Sequence, residues 1–339
     1  MRIILAGGLD SALTHFAMIG LAEILQEADA SRVRLQWKDS AKAEPTVSWD
    51  GPEVAEAVLA HARRHADQDS WVQVKVSFTT PRGEKTFGLF SPRLPLPEKE
   101  SEVQQFEDHR EEFLDSDLTA LDHLMISNLG EPGYWIFDRN TRLPDSSASR
   151  WEMKTRNHGE EFVGNRLSKL ASIVSSFDKD SIDAGLTGRK ISDPLGKDKL
   201  DSRTSTGLTP PGPVDDALAW CGLWGISGFT LVPGTGSDIS ATAGAVPQQR
   251  RHPRSLVIPI TEKPISPAAW RALMETRAII DITYSDESSM ATASDYLKAR
   301  GVLGICTFPV YTTNNSKAPE QMILSGAFYP LNRVPNDLH

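Results

Sequence analysis

The chain has 339 residues, of which 24% are charged and 39% hydrophobic, and its formal net charge at pH 7 is −9. This composition is typical of a soluble globular protein, and the length suits two domains or one large irregular domain. No run of about 18 apolar residues is present, so the sequence predicts no membrane span. The N-terminal segment lacks the cleavage pattern of a secretory signal. We therefore expect a cytoplasmic protein.

The negative charge is concentrated in one segment. Between Glu98 and Asp122 ten acidic residues are opposed by Lys99 and Arg110 alone, and the remainder of the chain is nearly neutral. A basic face elsewhere is therefore compatible with the net charge, and nucleic acid is not excluded as a partner.

Local patterns predict an N-terminal α+β unit. In chain order they indicate a strand at 3–6, a helix at 11–27, paired strands at 33–37 and 46–49, a helix at 52–66 and a strand at 71–78. The proline-rich stretch 92–97 is expected to be a linker. The acids of 98–122 are expected to lie on one helix that ends near Gly130.

The second half of the chain alternates between helices, strands and long polar stretches. The patterns indicate helices at 158–177, 213–226, 268–276 and 293–300, strands at 256–260, 278–284 and 302–311, and long irregular loops at 178–213 and 234–254. The predicted fold is α+β, with small mixed or antiparallel sheets and packed helices. The predicted division is an N-terminal domain 1–97, an acidic helical segment 98–133 and a C-terminal domain 134–339.

No pattern of residues indicates catalysis or metal binding. Cys221 and Cys306 lie in apolar sequence surroundings and are expected to be small core residues. His61 and His65 are predicted to lie on a solvated helix face. Hydrolase, zinc-protease and Walker-type motifs are absent from the sequence. We expect a protein without catalytic residues, metal or cofactor.

One segment offers an enzymatic alternative. Residues 3–13, Ile-Ile-Leu-Ala-Gly-Gly-Leu-Asp-Ser-Ala-Leu, resemble the pyrophosphate loop of the ATP pyrophosphatases, in which glycines let backbone N–H groups approach phosphates. Ala6 stands where that loop has serine, and the strands that follow suggest an antiparallel pair. A simpler interpretation is that Gly7 and Gly8 turn the chain and that Asp10 or Ser11 caps the helix.

Arginine-bearing loops are the main indication of a nucleic-acid contact. The stretch 201–227 joins a polar, proline-stiffened segment containing Arg203 to a helix that must be buried. The 234–254 loop has no acid between Ala241 and Ser255. Its candidate contacts are Gln248, Gln249, Arg250, Arg251 and Arg254.

A third basic region surrounds residue 160. There Trp151 is interleaved with bases and is a candidate for stacking on a nucleobase. The candidate contacts are Lys154, Arg156, Asn157, Asn165, Arg166 and Lys169.

Three segments resemble a family of type I CRISPR-associated proteins from the compact U/G-type systems. They are residues 9–22, residues 149–157 with 161–167, and residues 201–227. The resemblance implies a large-subunit-like component of the guide-RNA surveillance complex (Cascade) that contacts target double-stranded DNA near the protospacer-adjacent motif. It implies as partners the guide RNA, the backbone and guide-processing subunits, and the helicase–nuclease recruited on target binding. The net negative charge of this chain differs from such subunits, which usually have a clearly basic face.

Two alternatives remain open at this point. One is the nucleotide-binding enzyme built on Gly7 and Gly8. The other is a purely architectural subunit that touches other proteins and not DNA.

Overall fold

The structure, a computed structural model, describes residues 1–38, 43–80, 83–94, 100–130, 148–153, 161–202, 206–232, 239–248, 250, 252–283, 285–314 and 320–334. Within these residues small antiparallel sheets and α-helices form the α+β fold that the sequence predicts. The main hydrophobic core draws side chains from all three predicted segments of the chain, from Ile3 to Ile323.

The N-terminal sheet has three antiparallel strands in the order β1–β3–β2. The strands are β1 (Arg2–Ile4), β2 (Ser31–Lys38) and β3 (Glu44–Asp50). Helices α1 (Ala12–Glu27) and α2 (Val54–Ala66) connect and follow them, and β4 (Lys75–Thr80) and β5 (Gly83–Gly88) form a separate hairpin. The predicted strand pair and both predicted helices are confirmed. The predicted strand at 71–78 begins only at Lys75, because Trp71 and Val72 lie in a buried turn.

The centre of the core is the packing of α1 against α7 (Asp216–Trp224), whose nine residues are all buried, as the sequence predicts. Gly20 of α1 allows the close approach, since a Cβ at this position would stand 1.9 Å from the carbonyl oxygen of Cys221. Only glycine fits there, and the two backbones are in contact.

The glycine turn before α1 shows the helix capping that its simpler interpretation predicts. Gly7 has a φ of +95°, and the Ser11 hydroxyl caps α1 by accepting from the backbone N–H of Thr14 at 3.3 Å. The adjoining strand β1 pairs with β3 in antiparallel fashion. In the described residues, the sheet beside this turn is therefore antiparallel, whereas a doubly wound nucleotide-binding domain has a parallel sheet.

The acidic segment forms two helices and not the single helix predicted. These are α3 (Glu100–Leu114) and α4 (Ala120–Leu129). Thr119 starts the second helix through a capping box with Asp122, whose side chain accepts from the Thr119 backbone. Asp122 is fully buried and therefore does not belong to the acidic surface.

The region 158–186 also differs from the prediction. Within the predicted helix 158–177, the described residues form a π-helical turn at Val163–Leu167 followed by α5 (Ser168–Val174). The predicted loop at 178–213 contains α6 (Lys179–Leu186), capped by Asp178. Helix α6 buries only Ile182, Gly185 and Leu186, too few positions to give a recognisable period.

The C-terminal sheet has five strands with the order β11–β10–β9–β8, and β12 also pairs with β10. The strands are β8 (Ala245–Val246), β9 (Ser255–Thr261), β10 (Val302–Thr312), β11 (Gln321–Ile323) and β12 (Ala327–Pro330), and β6 (Leu231–Val232) pairs separately with β7 (Ala241–Thr242). Helices α8 (Pro267–Met274), α9 (Ala278–Asp281) and α10 (Glu287–Lys298) lie between β9 and β10. The predicted strand at 278–284 is wrong. Ile279 and Ile282 are buried at helical spacing, and α9 replaces the strand.

Candidate nucleic-acid interface

One end of the five-stranded sheet carries the arginine loop, residues 247–254, which joins β8 to β9. Arg254 has its backbone fixed on both sides, because its N–H donates to Val246 O at 2.8 Å and its carbonyl accepts from Val310 N at 2.8 Å. Its side chain and that of Arg250 are exposed, and Gln248 is half-buried. The loop therefore presents the Arg254 side chain to solvent from a backbone that is held at the end of the sheet.

Strand β11 connects this loop to the polar stretch before α7. The Gln321 side chain, which is buried, forms a hydrogen bond of 2.5 Å with Nδ1 of His252 in the arginine loop. The next residue but one, Ile323, donates its backbone N–H to Gly207 O at 2.8 Å. Two segments that the sequence singled out separately are thus brought together at one end of the sheet.

A shallow cavity of about 20 Å³ lies between the polar stretch and β11. Its lining combines hydroxyl, amide and proline groups, from Ser202, Thr206, Thr209, Pro210, Pro211 and Gln321 among others. The volume suits a single water molecule and is too small for a nucleobase.

Two buried carboxylates at the start of α7 hold residues 192–195, which precede the polar stretch in the chain. Asp215 caps α7 by accepting from Ala217 N at 2.9 Å, and its other oxygen accepts from Ser192 N at 3.0 Å. Asp216 accepts from Leu195 N at 3.2 Å. Burial raises the pKa of Asp215, and burial together with the neighbouring carboxylates raises the pKa of Asp216 to about 7. The start of the buried helix therefore holds residues 192–195 in place.

Charge at this end of the sheet favours an anionic partner. Arg250 and Arg254 are exposed, and His252 beside them is also exposed. Exposed arginines can contact phosphate oxygens, and each such contact releases a counterion from the nucleic acid. The arginine loop can therefore supply affinity without reading a sequence.

The predicted residues of the middle region occupy a different part of the fold. Lys169 is exposed on α5, and Asn165 is half-buried in the π-helical turn. Arg166 is fully buried, with its guanidinium 5.1 Å from the Phe162 ring centre and 3.9 Å from a carboxylate oxygen of Glu152. Arg166 is therefore inaccessible to a nucleic acid and does not belong to the interface.

Trp151 is a core residue, and its predicted stacking on a nucleobase is not supported. The side chain is fully buried, and its indole N–H donates to Ala243 O at 2.9 Å. Lys154, Arg156, Asn157, Arg203, Gln249 and Arg251 lie outside the described residues.

Sequence reasoning missed a buried histidine pair on α2. His61 and His65 are 4% and 0% exposed, which overturns the predicted solvated face. Trp220 donates its indole N–H to Nδ1 of His61 at 3.0 Å, which assigns the proton of His61 to Nε2, 3.5 Å from Glu27. Arg64 lies 3.0 Å from Nε2 of His65, so that the His65 proton is assigned to Nδ1, facing Ser70 Oγ at 3.1 Å.

Both imidazoles are neutral because burial lowers the pKa of His61 and of His65 well below the ordinary value, and the Arg64 charge lowers both further. Burial alone would raise the pKa of Asp122, but its hydrogen bond and ion pair with Arg64 outweigh burial and lower it. The four-residue spacing places both histidines on one face of the helix and could have indicated a pair. The adjacent Arg63 and Arg64 suggested instead that this face is exposed to solvent. This network joins α1, α2, α4 and α7 and is structural.

The described ranges contain neither a metal site nor a membrane-spanning helix. No group of three or more His, Cys, Asp or Glu side chains there is arranged to hold a metal ion. No helix in those ranges is long and apolar enough to cross a membrane. Comparison of the whole chain with known proteins gives no matching family model and no significantly similar curated protein.

Proposed function

We propose that this chain is a non-catalytic subunit of a type I CRISPR RNA-guided DNA surveillance complex, acting in the cytoplasm. In this role it contacts target DNA near the protospacer-adjacent motif and helps to recruit the helicase–nuclease. The proposal is supported by the resemblance of residues 9–22, 149–157 with 161–167, and 201–227 to the large-subunit-like family.

The observation that carries the DNA contact is that Gln321 contacts His252 of the arginine loop and lines one cavity with described residues of the polar stretch, among them Ser202, Thr206 and Thr209. In an RNA-guided complex base pairing reads the sequence, so the protein needs only short motif readout and backbone neutralisation. Exposed arginines next to hydroxyl and amide groups supply both kinds of contact. Such a subunit needs no catalytic residue, metal or cofactor of its own.

The first test is co-purification. The full chain is expressed with its neighbouring genes and a repeat–spacer array, purified by affinity, and stained for bound RNA. A discrete guide-length RNA with several stoichiometric subunits supports the proposal. A lone, RNA-free protein contradicts it.

The second test separates DNA contact from a purely architectural role. Arg250→Glu with Arg254→Glu should leave assembly intact and weaken DNA binding at physiological salt. Lys263→Glu is the matched control, because Lys263 is exposed just beyond the opposite end of β9. Unchanged DNA binding by the double variant would favour the architectural role.

A further inference from the structure

The exposed face of the N-terminal sheet carries a row of like charges. Arg2 on β1 and Arg34 on β2 both pair with Ser48 on the central strand β3. Directly opposite residues share a face of an antiparallel sheet, so the row reads Arg2–Ser48–Arg34. The opposite face of the same strands buries Ile3, Val47 and Leu35 in the core.

The positive charge extends along strand β2. Arg32, Arg34 and Lys38 are exposed on this strand. Arg32 has a φ of +52° and lies where the β2–β3 register shifts, and such a bulge re-aims the side chain. Its ion pair with Asp50 is 3.3 Å long, but the two side chains are 82% and 58% exposed, so solvent screens the pair.

In the described strands of this sheet, acidic residues lie only at the two ends of this face. Asp50 pairs with Arg32 at one end, and Glu44 is the cross-strand neighbour of Lys38 at the other. Neither acid occupies the central row, where Ser48 separates the two arginines. Arg34 donates to the carbonyl of its neighbour Val33 at 2.8 Å, which limits the freedom of its side chain and leaves other guanidinium donors available.

We propose that this face binds the sugar–phosphate backbone of a nucleic acid, with Arg2 and Arg34 contacting phosphates on either side of the Ser48 hydroxyl. The inference rests on the proposed function and adds a second contact surface to the arginine loop. Strands lie about 4.8 Å apart, so the two arginines originate about 10 Å apart across the sheet. Their long side chains can reach separate phosphates of one strand, which follow each other at about 3.4 Å of helix rise.

The side chains on this face favour the backbone over the bases. Base stacking on a sheet requires exposed aromatic rings, and the aromatic residues of these strands, Trp37 and Trp49, fall on the opposite face by strand alternation. Arginine and hydroxyl groups contact phosphate without sequence preference. Binding here should therefore be strongly salt-dependent and independent of sequence.

The experiment compares the full-length protein with the variant Arg2→Gln, Arg34→Gln. Binding to a fluorescein-labelled duplex of random sequence is measured by anisotropy over a series of KCl concentrations, with the purified complex used where the chain co-purifies with partners. Loss of two phosphate contacts should reduce the magnitude of the negative slope of log K against log salt by about 2. Lys263→Gln is the matched control and should leave the slope unchanged, and circular dichroism verifies folding of each variant.

The outcomes separate this inference from the proposed function. A less negative slope for Arg2→Gln, Arg34→Gln supports the inference. If the wild type binds DNA and Arg250→Glu with Arg254→Glu weakens it, but the sheet variant keeps the wild-type slope, the inference is overturned. The charges then only protect edge strands from pairing with other chains. A wild type that binds no nucleic acid, alone or in its complex, overturns both.

Discussion

The buried histidine pair predicts a specific dependence of stability on pH. The perturbation is the double variant His61→Gln, His65→Gln, in which neither side chain can take up a proton. In the unfolded chain each histidine binds a proton below about pH 6.5, whereas in the folded protein both stay neutral because burial lowers their pKa. The unfolded state therefore binds more protons, and the free energy of unfolding must fall as pH falls below that value.

The magnitude follows from linkage. At about pH 5.5 each neutral buried histidine lowers the free energy of unfolding by about 1.4 kcal/mol relative to pH 8, so the pair contributes about 3 kcal/mol. Carboxylates such as Asp216, whose pKa is raised, contribute with the opposite sign. They are common to wild type and variant, and their effect cancels in the difference between the two proteins.

The assay is urea unfolding of both proteins at a series of pH values. The wild type should lose about 3 kcal/mol more than the double variant between pH 8 and about pH 5.5. His123→Gln, which removes an exposed histidine of α4, is the control and should follow the wild type. Parallel pH dependence of wild type and double variant would refute the reasoning, as would NMR titration of either buried imidazole near pH 6.5.

Three further substitutions test the packing and the helix caps. Gly20→Ala should lower the free energy of unfolding by about 1–3 kcal/mol or more, because the new Cβ would stand 1.9 Å from the Cys221 carbonyl oxygen, whereas Gly212→Ala, with nothing within 4 Å, should have little effect in the same urea assay. Asp216→Asn should stabilise the protein at alkaline pH, where the wild type must bury a charged carboxylate. The pKa of Asp216 is raised to about 7, so between about pH 4 and 7 its contribution to the free energy of unfolding of the wild type should fall by up to about 1.4 kcal/mol per pH unit as pH rises. The variant should lack this decrease. Ser11→Ala should lower the free energy of unfolding by about 1 kcal/mol through loss of the α1 cap, and nucleotide binding that disappeared with it would instead revive the enzymatic alternative.

Strong local patterns determined much of the fold from sequence alone. Helix α7 is apolar on every side, so it had to be buried, and α1 and β10 carry apolar residues over enough positions to set their type. The cationic character of the 247–254 loop is also a property of sequence, because no acid lies between Ala241 and Ser255. Short elements such as α6 and α9 were missed or misassigned because three buried positions in α6 and one in α9 do not define a period.

Burial of polar groups was decided by the tertiary structure. His61 and His65 are buried because the tryptophans of α7, far along the chain, cover that face of α2. Arg166 and Trp151 lie in basic stretches that suggest a surface, yet Phe162, Glu152 and the carbonyl of Ala243 surround them.

The candidate site likewise depends on long-range pairing. Gln321 and His252 are 69 residues apart, and only the pairing of β11 with β10 and with Gly207 brings the arginine loop to the polar stretch. A local pattern reports the preference of a segment for helix, strand or solvent. Which segment covers it is set by contacts between distant parts of the chain, and these decide whether a charged or aromatic side chain faces water or the core.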